Sequence, residues 1–118
     1  MERSNAIAAL AALAQDNRLD VFRLLVRAGV EGMPAGAVAT ALGLAPNTLS
    51  FHFDRLRQAG LVSCRREGRS LIYAAKYETM RGLLAYLSEN CCEGVPSSAA
   101  SASCTTKSSR ASKRKVPA

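Results

Sequence analysis

Apolar residues recur at helical spacing in one stretch near the middle of the chain. Leu49, Phe53 and Leu56 stand at positions i, i+4 and i+7, so they share one stripe of an α-helix. Pro46 suits the first turn of this helix, where its missing N–H costs nothing, and Gly60 suits the position just past its end. The pattern predicts one amphipathic helix with a polar face opposite the apolar stripe.

The polar face of this helix carries groups that could read DNA. A helix with short polar side chains near its start and an arginine further along can enter the major groove. An ordinary surface helix has the same pattern, so the interpretation depends on the neighbouring segments. The candidate DNA-facing residues on this face and its flanks are Asn47, Thr48, Ser50, Phe51, His52 and Arg55. For His52, a partly buried side chain that packs on the hairpin is the alternative.

Three shorter helical patterns precede this stretch. The first is alanine-rich and covers Ile7–Ala14, and the second should start at a capping Asp16 or Asn17 and end at Gly29. The third covers Pro34–Leu42, and a tight turn joins it to the amphipathic helix, as in a helix-turn-helix motif. The residues expected to face the core from the second and third helices are Leu19, Phe22, Leu25, Val26, Val38, Ala41 and Leu42.

After Gly60 the pattern changes to two short strand-like runs, Leu61–Glu67 and Ser70–Lys76. They predict a β-hairpin whose tip is crowded by Arg65, Arg66 and Arg69. Like charges on one loop are unfavourable without a counter-charge, so we expect this hairpin to hold DNA phosphates. A tip that is merely solvated is the alternative.

A final helix is predicted over Tyr77–Glu89, with Met80, Leu83, Leu84 and Leu87 on its apolar face. This face and that of the first helix exceed what a small core needs, so we expect both to form a dimer interface. The predicted fold class is mainly α with a small β-hairpin, in the order α-α-α-α-β-β-α.

Charge divides the chain into two parts. Its net charge is +7, and residues 95–118 contain five basic residues, seven serines and no acidic residue. We therefore expect a domain of residues 1–94 followed by a flexible, Ser-rich basic tail of residues 95–118 that carries Cys104. The basic balance favours an anionic partner, first of all nucleic acid.

No secretory signal and no membrane span are expected, because the N-terminal apolar run is short and lacks a suitable basic flank. The four cysteines should then lie in a reducing cytoplasm, as ligands or sensors. With one histidine, no paired carboxylates and no Gly-rich phosphate loop, we expect no enzyme and no required cofactor.

Five sequence features stand out in combination. They are Asp16-Asn-Arg-Leu19, Ala39-Thr-Ala-Leu-Gly-Leu44, Leu49-Ser-Phe-His-Phe-Asp-Arg-Leu-Arg-Gln-Ala-Gly-Leu-Val62, Arg65-Arg-Glu-Gly-Arg69 and Tyr73. Together they strongly resemble the ArsR/SmtB family of metal-sensing repressors, over about residues 5–90. The resemblance implies a winged helix-turn-helix, a homodimer paired through the first and last helices, and binding to an inverted repeat in double-stranded operator DNA. It also implies release of DNA when a metal or metalloid binds.

The chain departs from two ligand patterns of that family. It has no Cys-x-Cys pair at the start of the helix-turn-helix, and its last helix lacks the Asp, His and Glu set of the zinc sensors. It offers instead Cys91 and Cys92 past the last helix and Cys104 in the tail, so it resembles members that bind arsenic at the ends of the fold.

The chemistry of the thiols supports this interpretation. Adjacent cysteines diverge on a regular helix, but past its end Cys91 and Cys92 can turn towards one ion. Trivalent arsenic is soft and takes three thiolates, a count that Cys104 completes. As(III) is the expected inducer, with Sb(III) and a trivalent methylated arsenical as alternatives. Cys64 is expected to be a small buried hydrophobe.

Three other functions fit parts of the pattern. In a redox sensor of the same fold, Cys91 and Cys92 or Cys104 would form a disulfide. A non-specific architectural DNA coater would use the basic tail, and its binding would depend steeply on salt. A small thiol oxidoreductase would need a neighbour that lowers a thiol pKa, and the sequence supplies none.

Overall fold

The structure is a computed structural model that describes residues 1–94. Its contacts divide the chain into one unit of Met1–Leu87 and a second that starts at Ser88. The expected tail of residues 95–118, with Cys104, lies outside the described residues.

Five helices and three strands occur in residues 1–94, in the predicted order except for one short added strand. The winged helix-turn-helix fold expected from the sequence is therefore confirmed. The elements are α1 Arg3–Leu13, α2 Asp16–Ala28, β1 Met33–Pro34, α3 Ala35–Leu42, α4 Pro46–Gln58, β2 Val62–Glu67, β3 Ser70–Ala75 and α5 Tyr77–Ser88.

The strand β1 is the element that the sequence did not predict. It pairs antiparallel with β3, opposite Met33↔Tyr73 and Pro34↔Ile72, so the hairpin of β2 and β3 becomes a three-stranded sheet in the order β1-β3-β2. Two residues are too few to show a strand period. Pro34 is tolerated because β1 is an edge strand, where a missing N–H breaks no ladder.

The core holds the amphipathic helix against the sheet. Leu49, Phe53 and Leu56 of α4 are buried as predicted. The ring of Phe53 stacks on that of Tyr73 in β3, with centroids 3.6 Å apart and planes 3° from parallel. The stack and the flanking leucines tie α4 to the central strand of the sheet.

Helix α1 buries small residues and exposes large ones. Its buried face consists of Ala6, Ala9 and Ala12, whereas Ile7 is 57% exposed and Leu10 42% exposed. Alanine lets the helix backbone come close to its neighbours α2 and α4. The larger residues are thereby left on the surface of the unit.

Three details of the predicted helices are wrong. The cap of α2 is Gln15, whose side-chain oxygen accepts from the Arg18 N–H at 2.9 Å, so neither Asp16 nor Asn17 is needed there. Leu19 and Ala41 were expected in the core, but both are exposed. Val21 is buried instead, beside the correctly predicted Phe22 and Leu25, and it lies about half a turn around the helix from Leu19.

Gly32 provides a test of this packing. Its φ is +76°, and a Cβ built there would collide with the backbone carbonyl of Tyr73. Gly32→Ala should therefore cost about 3 kcal/mol or more of unfolding free energy, from backbone strain and the steric clash together. Urea denaturation measures this.

Gly60 is the matched control, because its φ is also +76° but an added Cβ would meet nothing within 4 Å. Gly60→Ala should cost only about 1–2 kcal/mol of backbone strain. Equal losses in the two variants would show that the contact between Gly32 and β3 does not limit stability.

Candidate nucleic-acid interface

The turn between α3 and α4 is built by local backbone chemistry. Gly43 adopts the left-handed conformation, with φ 65° and ψ 34°, and closes α3. The Leu44 N–H then donates to the Ala39 carbonyl at 3.0 Å. Pro46 starts α4, since the first helical position needs no N–H. The short turn sets the orientation of α4 relative to α3.

The outer face of α4 presents five of the six predicted residues to solvent. Phe51 is 51% exposed, an unusual position for a large aromatic side chain, and the Arg55 guanidinium carbon lies 4.9 Å from the centre of its ring. This contact holds the arginine along the helix surface. The exposed residues of the predicted set are Asn47, Thr48, Ser50, Phe51 and Arg55.

His52 is the exception, and its placement contradicts the prediction that it faces DNA. The side chain is 5% exposed, and neither ring nitrogen has a hydrogen-bond partner among the described residues. Its position lies on the flank of α4 that turns towards the core rather than outward. Burial, followed by the nearby Arg18 cation, lowers the pKa of His52 below its usual 6.5.

The three predicted wing arginines differ in their contacts. Arg65 Nε donates to the Glu67 carboxylate at 2.8 Å, and its Nη2 donates to the Glu31 carbonyl at 2.9 Å. These bonds tie Arg65 to the hairpin and to the segment before β1. Arg66 and Arg69 are exposed and have no ion pair within the described residues. They are the wing cations best placed to meet phosphate.

Sequence reasoning missed two further arginines near α4. Arg57 lies 3.9 Å from the Asp54 carboxylate one turn earlier, an i, i+3 spacing that the sequence does show. Arg18 of α2 donates through Nε to the Ala12 carbonyl at 2.7 Å and lines a cleft with Phe51 and Arg55. No sequence spacing links Arg18 to α4, because the two helices meet only in the fold.

The predicted thiols of the second unit lie together. Asn90 and Cys92 have positive φ angles of 60° and 62°, which bend the backbone just after α5. Cys91 Sγ is 3.4 Å from Cys92 Sγ, as expected if adjacent cysteines turn to one side past the helix end. Cys92 is disulfide-bonded in this structure, but not to Cys91, because an S–S bond is only about 2.05 Å long.

A third metal ligand does not join this pair within residues 1–94, where no group of three Cys, His, Asp or Glu side chains converges. The predicted third ligand, Cys104, lies outside the described residues. Cys64 lies opposite Tyr73 in the ladder of β2 and β3 and is half-buried against the core.

Comparison with known proteins identifies a helix-turn-helix domain in the part of the chain that contains α3 and α4. Residues 13–65 match the model of a helix-turn-helix domain. The chain is 35% identical over 80 residues to the nodulation protein NolR of Rhizobium meliloti, a match that covers 68% of this chain and 63% of that protein. It is 30% identical over 87 residues to the HTH-type transcriptional regulator YgaV of Escherichia coli K12, covering 74% of this chain and 86% of that protein.

A solved structure from Mycobacterium bovis, Mb0332, gives the same fold. It is described as a homodimeric winged helix-turn-helix DNA-binding domain and a possible ArsR-family regulator. The match has a TM-score of 0.60 and 27% identity, and covers 78% of this chain and 85% of that one. None of the helices described in residues 1–94 has the length and apolar run needed to cross a lipid bilayer.

The buried His52 predicts a pH dependence of stability. Because its folded-state pKa is lowered, the unfolded chain takes up a proton at a pH where the folded chain does not. The neutral folded form carries no penalty from this difference well above pH 6.5, and the free energy of unfolding falls as the pH drops below that value. Urea unfolding at about pH 7.5 and about pH 5.5 should show this loss in the parent.

His52→Leu is the corresponding variant, since it removes two buried nitrogens that have no partner. The variant should make the free energy of unfolding less dependent on pH between these two values. His52 is the one histidine in the sequence, so no second histidine contributes to the change. An equally steep profile in the variant would assign the titration to other groups.

Proposed function

Since the chain belongs to the helix-turn-helix family of transcriptional regulators, we propose that it is a homodimeric repressor released from operator DNA by trivalent arsenic. The observation that carries the DNA part is the exposed polar face of α4 beside a wing in which Arg66 and Arg69 have no ion pair with any residue of 1–94. The observation that carries the inducer part is the sulfur pair of Cys91 and Cys92.

The dimer is proposed from the apolar surface that the fold leaves uncovered. Ile7 and Leu10 of α1 are exposed, and so are Leu84 and Leu87 of α5, which are 58% and 57% exposed. Large aliphatic side chains exposed in this number are typical of a surface that pairs. A two-fold axis there would present two α4 helices to half-sites of an inverted repeat.

On DNA, α4 would read bases while the wing holds the backbone. Asn47, Thr48 and Ser50 lie near the start of α4, where side chains of a recognition helix reach base edges in the major groove. Arg66 and Arg69 would neutralise phosphates whatever the sequence. Arg65, bound to Glu67 and to a backbone carbonyl, would instead keep the wing in position.

The spacing of the sulfurs supports a thiophilic inducer. Cys91 Sγ and Cys92 Sγ are 3.4 Å apart. Sulfurs this close can bind one soft ion once Cys92 is reduced, so the pair would supply two of the three thiolates that As(III) or Sb(III) takes. Cys104 is the proposed third.

Binding at this pair would act on α5, because residues 89–92 follow directly from its last residue. To change operator occupancy from 99% to 1%, the inducer must favour the released state by about 10⁴-fold, or ~5.5 kcal/mol per dimer. Two equivalent sites would each need to supply about half of that. A shift at the end of α5 would change the separation of the two α4 helices.

Redox sensing is the second candidate, and one observation favours it. Cys92 is disulfide-bonded in the structure, and a bonded sulfur cannot bind arsenic until it is reduced. Under this alternative, peroxide would release the DNA and arsenite would have no effect on the reduced protein.

The division of labour on DNA can be tested with two substitutions. Ser50→Ala should weaken operator binding by roughly 1–3 kcal/mol and relax sequence preference, because a base contact is lost. Arg69→Ala should weaken binding to operator and random DNA alike and flatten the salt dependence. Gel shifts on both DNAs over a series of salt concentrations measure this, and the division is wrong if the two variants behave alike.

The inducer site can be tested in reducing buffer with the DNA upstream of the protein's own gene. Cys91→Ser and Cys92→Ser should bind this DNA like the parent and resist release by arsenite, because the sulfur pair is broken. Cys64→Ser is the matched control, since Cys64 packs against the core, and it should respond like the parent. Release of a Cys91→Ser, Cys92→Ser double variant by low micromolar arsenite contradicts the proposal.

A further inference from the structure

A cleft of about 500 Å³ opens between α1, α2 and the outer side of α4. This volume falls within the range of small-molecule sites in proteins. Alanines from α1, including Ala8 and Ala11, form one wall, and Phe51 of α4 adds an aromatic ring. The cleft thus combines an apolar wall with an aromatic side chain that the core does not use.

Both charged groups that line the cleft are cationic, and Gln58 adds a neutral amide. Arg18 enters from α2 and Arg55 from α4, and no aspartate or glutamate lines the cleft. Neither arginine has a carboxylate within 4.0 Å among the described residues. Arg18 uses its Nε on the Ala12 carbonyl, which leaves its terminal N–H groups for another acceptor. Two guanidinium groups in one cleft without a counter-ion attract an anion.

We propose that this cleft binds a small amphipathic organic anion, a carboxylate attached to an aromatic or short aliphatic group. The carboxylate would be held by Arg18 and Arg55, since guanidinium groups pair with carboxylates through two parallel hydrogen bonds. The apolar group would lie against Phe51 and the alanine wall. This combination selects against both neutral aromatic molecules and small inorganic anions.

The cleft is lined by residues other than those assigned above to dimerisation and to arsenic. On α1, Ala8 lies about 100° around the helix from Ile7 and about 160° from Leu10, whereas Ala11 lies about 40° from Ile7. The cysteine pair belongs to the second unit of the chain. The cleft does share Phe51 and Arg55 with the proposed DNA face, so a bound anion should compete with operator. That consequence rests on the proposed function, whereas the binding itself does not.

The experiment is an NMR titration of the full-length protein, in reducing buffer, with phenylacetate as the probe. We expect saturable shifts at amide signals of Ala8, Ala11, Arg18 and Phe51, with a dissociation constant below about 1 mM. Phenylacetamide lacks the charge, and acetate and inorganic phosphate lack the ring. Each should bind at least about 10-fold more weakly.

Variants locate the site. Ala11→Leu fills the cleft from an exposed helical position, so the variant should fold like the parent but bind phenylacetate at least about 10-fold more weakly. Arg55→Gln should lose the probe to a similar degree. Arg57→Gln is the matched control, because Arg57 lies on the same helix outside this cleft, and it should bind phenylacetate like the parent.

Three results would overturn the proposal. They are the absence of saturable shifts up to about 10 mM phenylacetate, equal binding of phenylacetamide or phosphate, and unchanged binding by Ala11→Leu. Equal binding of phosphate would mean that the cleft only seats a DNA phosphate. Failure of arsenite to release operator would contradict the proposed function and leave this titration unaffected, so the two can be judged apart.

Discussion

The stack of Phe53 on Tyr73 is the contact on which the DNA-binding surface depends. Phe53 comes from the buried face of α4, and Tyr73 comes from β3, which pairs with both other strands. This aromatic pair, with the buried leucines beside it, therefore ties α4 to the central strand of the sheet. Because both rings are buried, neither element can shift without opening the core.

Small residues complete this arrangement on the other side of α4. The alanine face of α1 lets that helix pack closely, and its large residues are displaced onto the surface. The unit consequently leaves three surfaces uncovered: the outer face of α4 with the wing, the aliphatic flanks of α1 and α5, and the cationic cleft between α1, α2 and α4. Each of the functions proposed for residues 1–87 uses one of these surfaces.

Much of the fold was predictable because its elements carry strong local signals. The stripe of Leu49, Phe53 and Leu56 and the glycines that end the helices gave α4 and its boundaries to within two residues. The hairpin followed from its short apolar runs and its turn. β1 was missed because two residues have no period, and the Gln15 cap was missed because glutamine is a rare capping residue.

The site was predictable only where a residue's exposure follows from helix geometry. Asn47 and Phe51 oppose the apolar stripe, so their exposure could be read from the pattern. His52 lies on its flank, where packing against the rest of the core decides burial, and the sequence pattern alone gave the wrong side. The contacts of Arg65 with Glu31 and of Arg18 with the cleft join distant segments, which no periodicity reveals.

The central claim is that two copies of this unit place their α4 helices in successive major grooves of one operator. Hydroxyl-radical footprinting of the reduced protein on DNA upstream of its own gene tests this most directly. The account predicts two protected patches on one face of the duplex, related by two-fold symmetry and separated by about 10 base pairs or a small multiple of that. A single patch, or uniform protection that spreads as protein concentration rises, would contradict it.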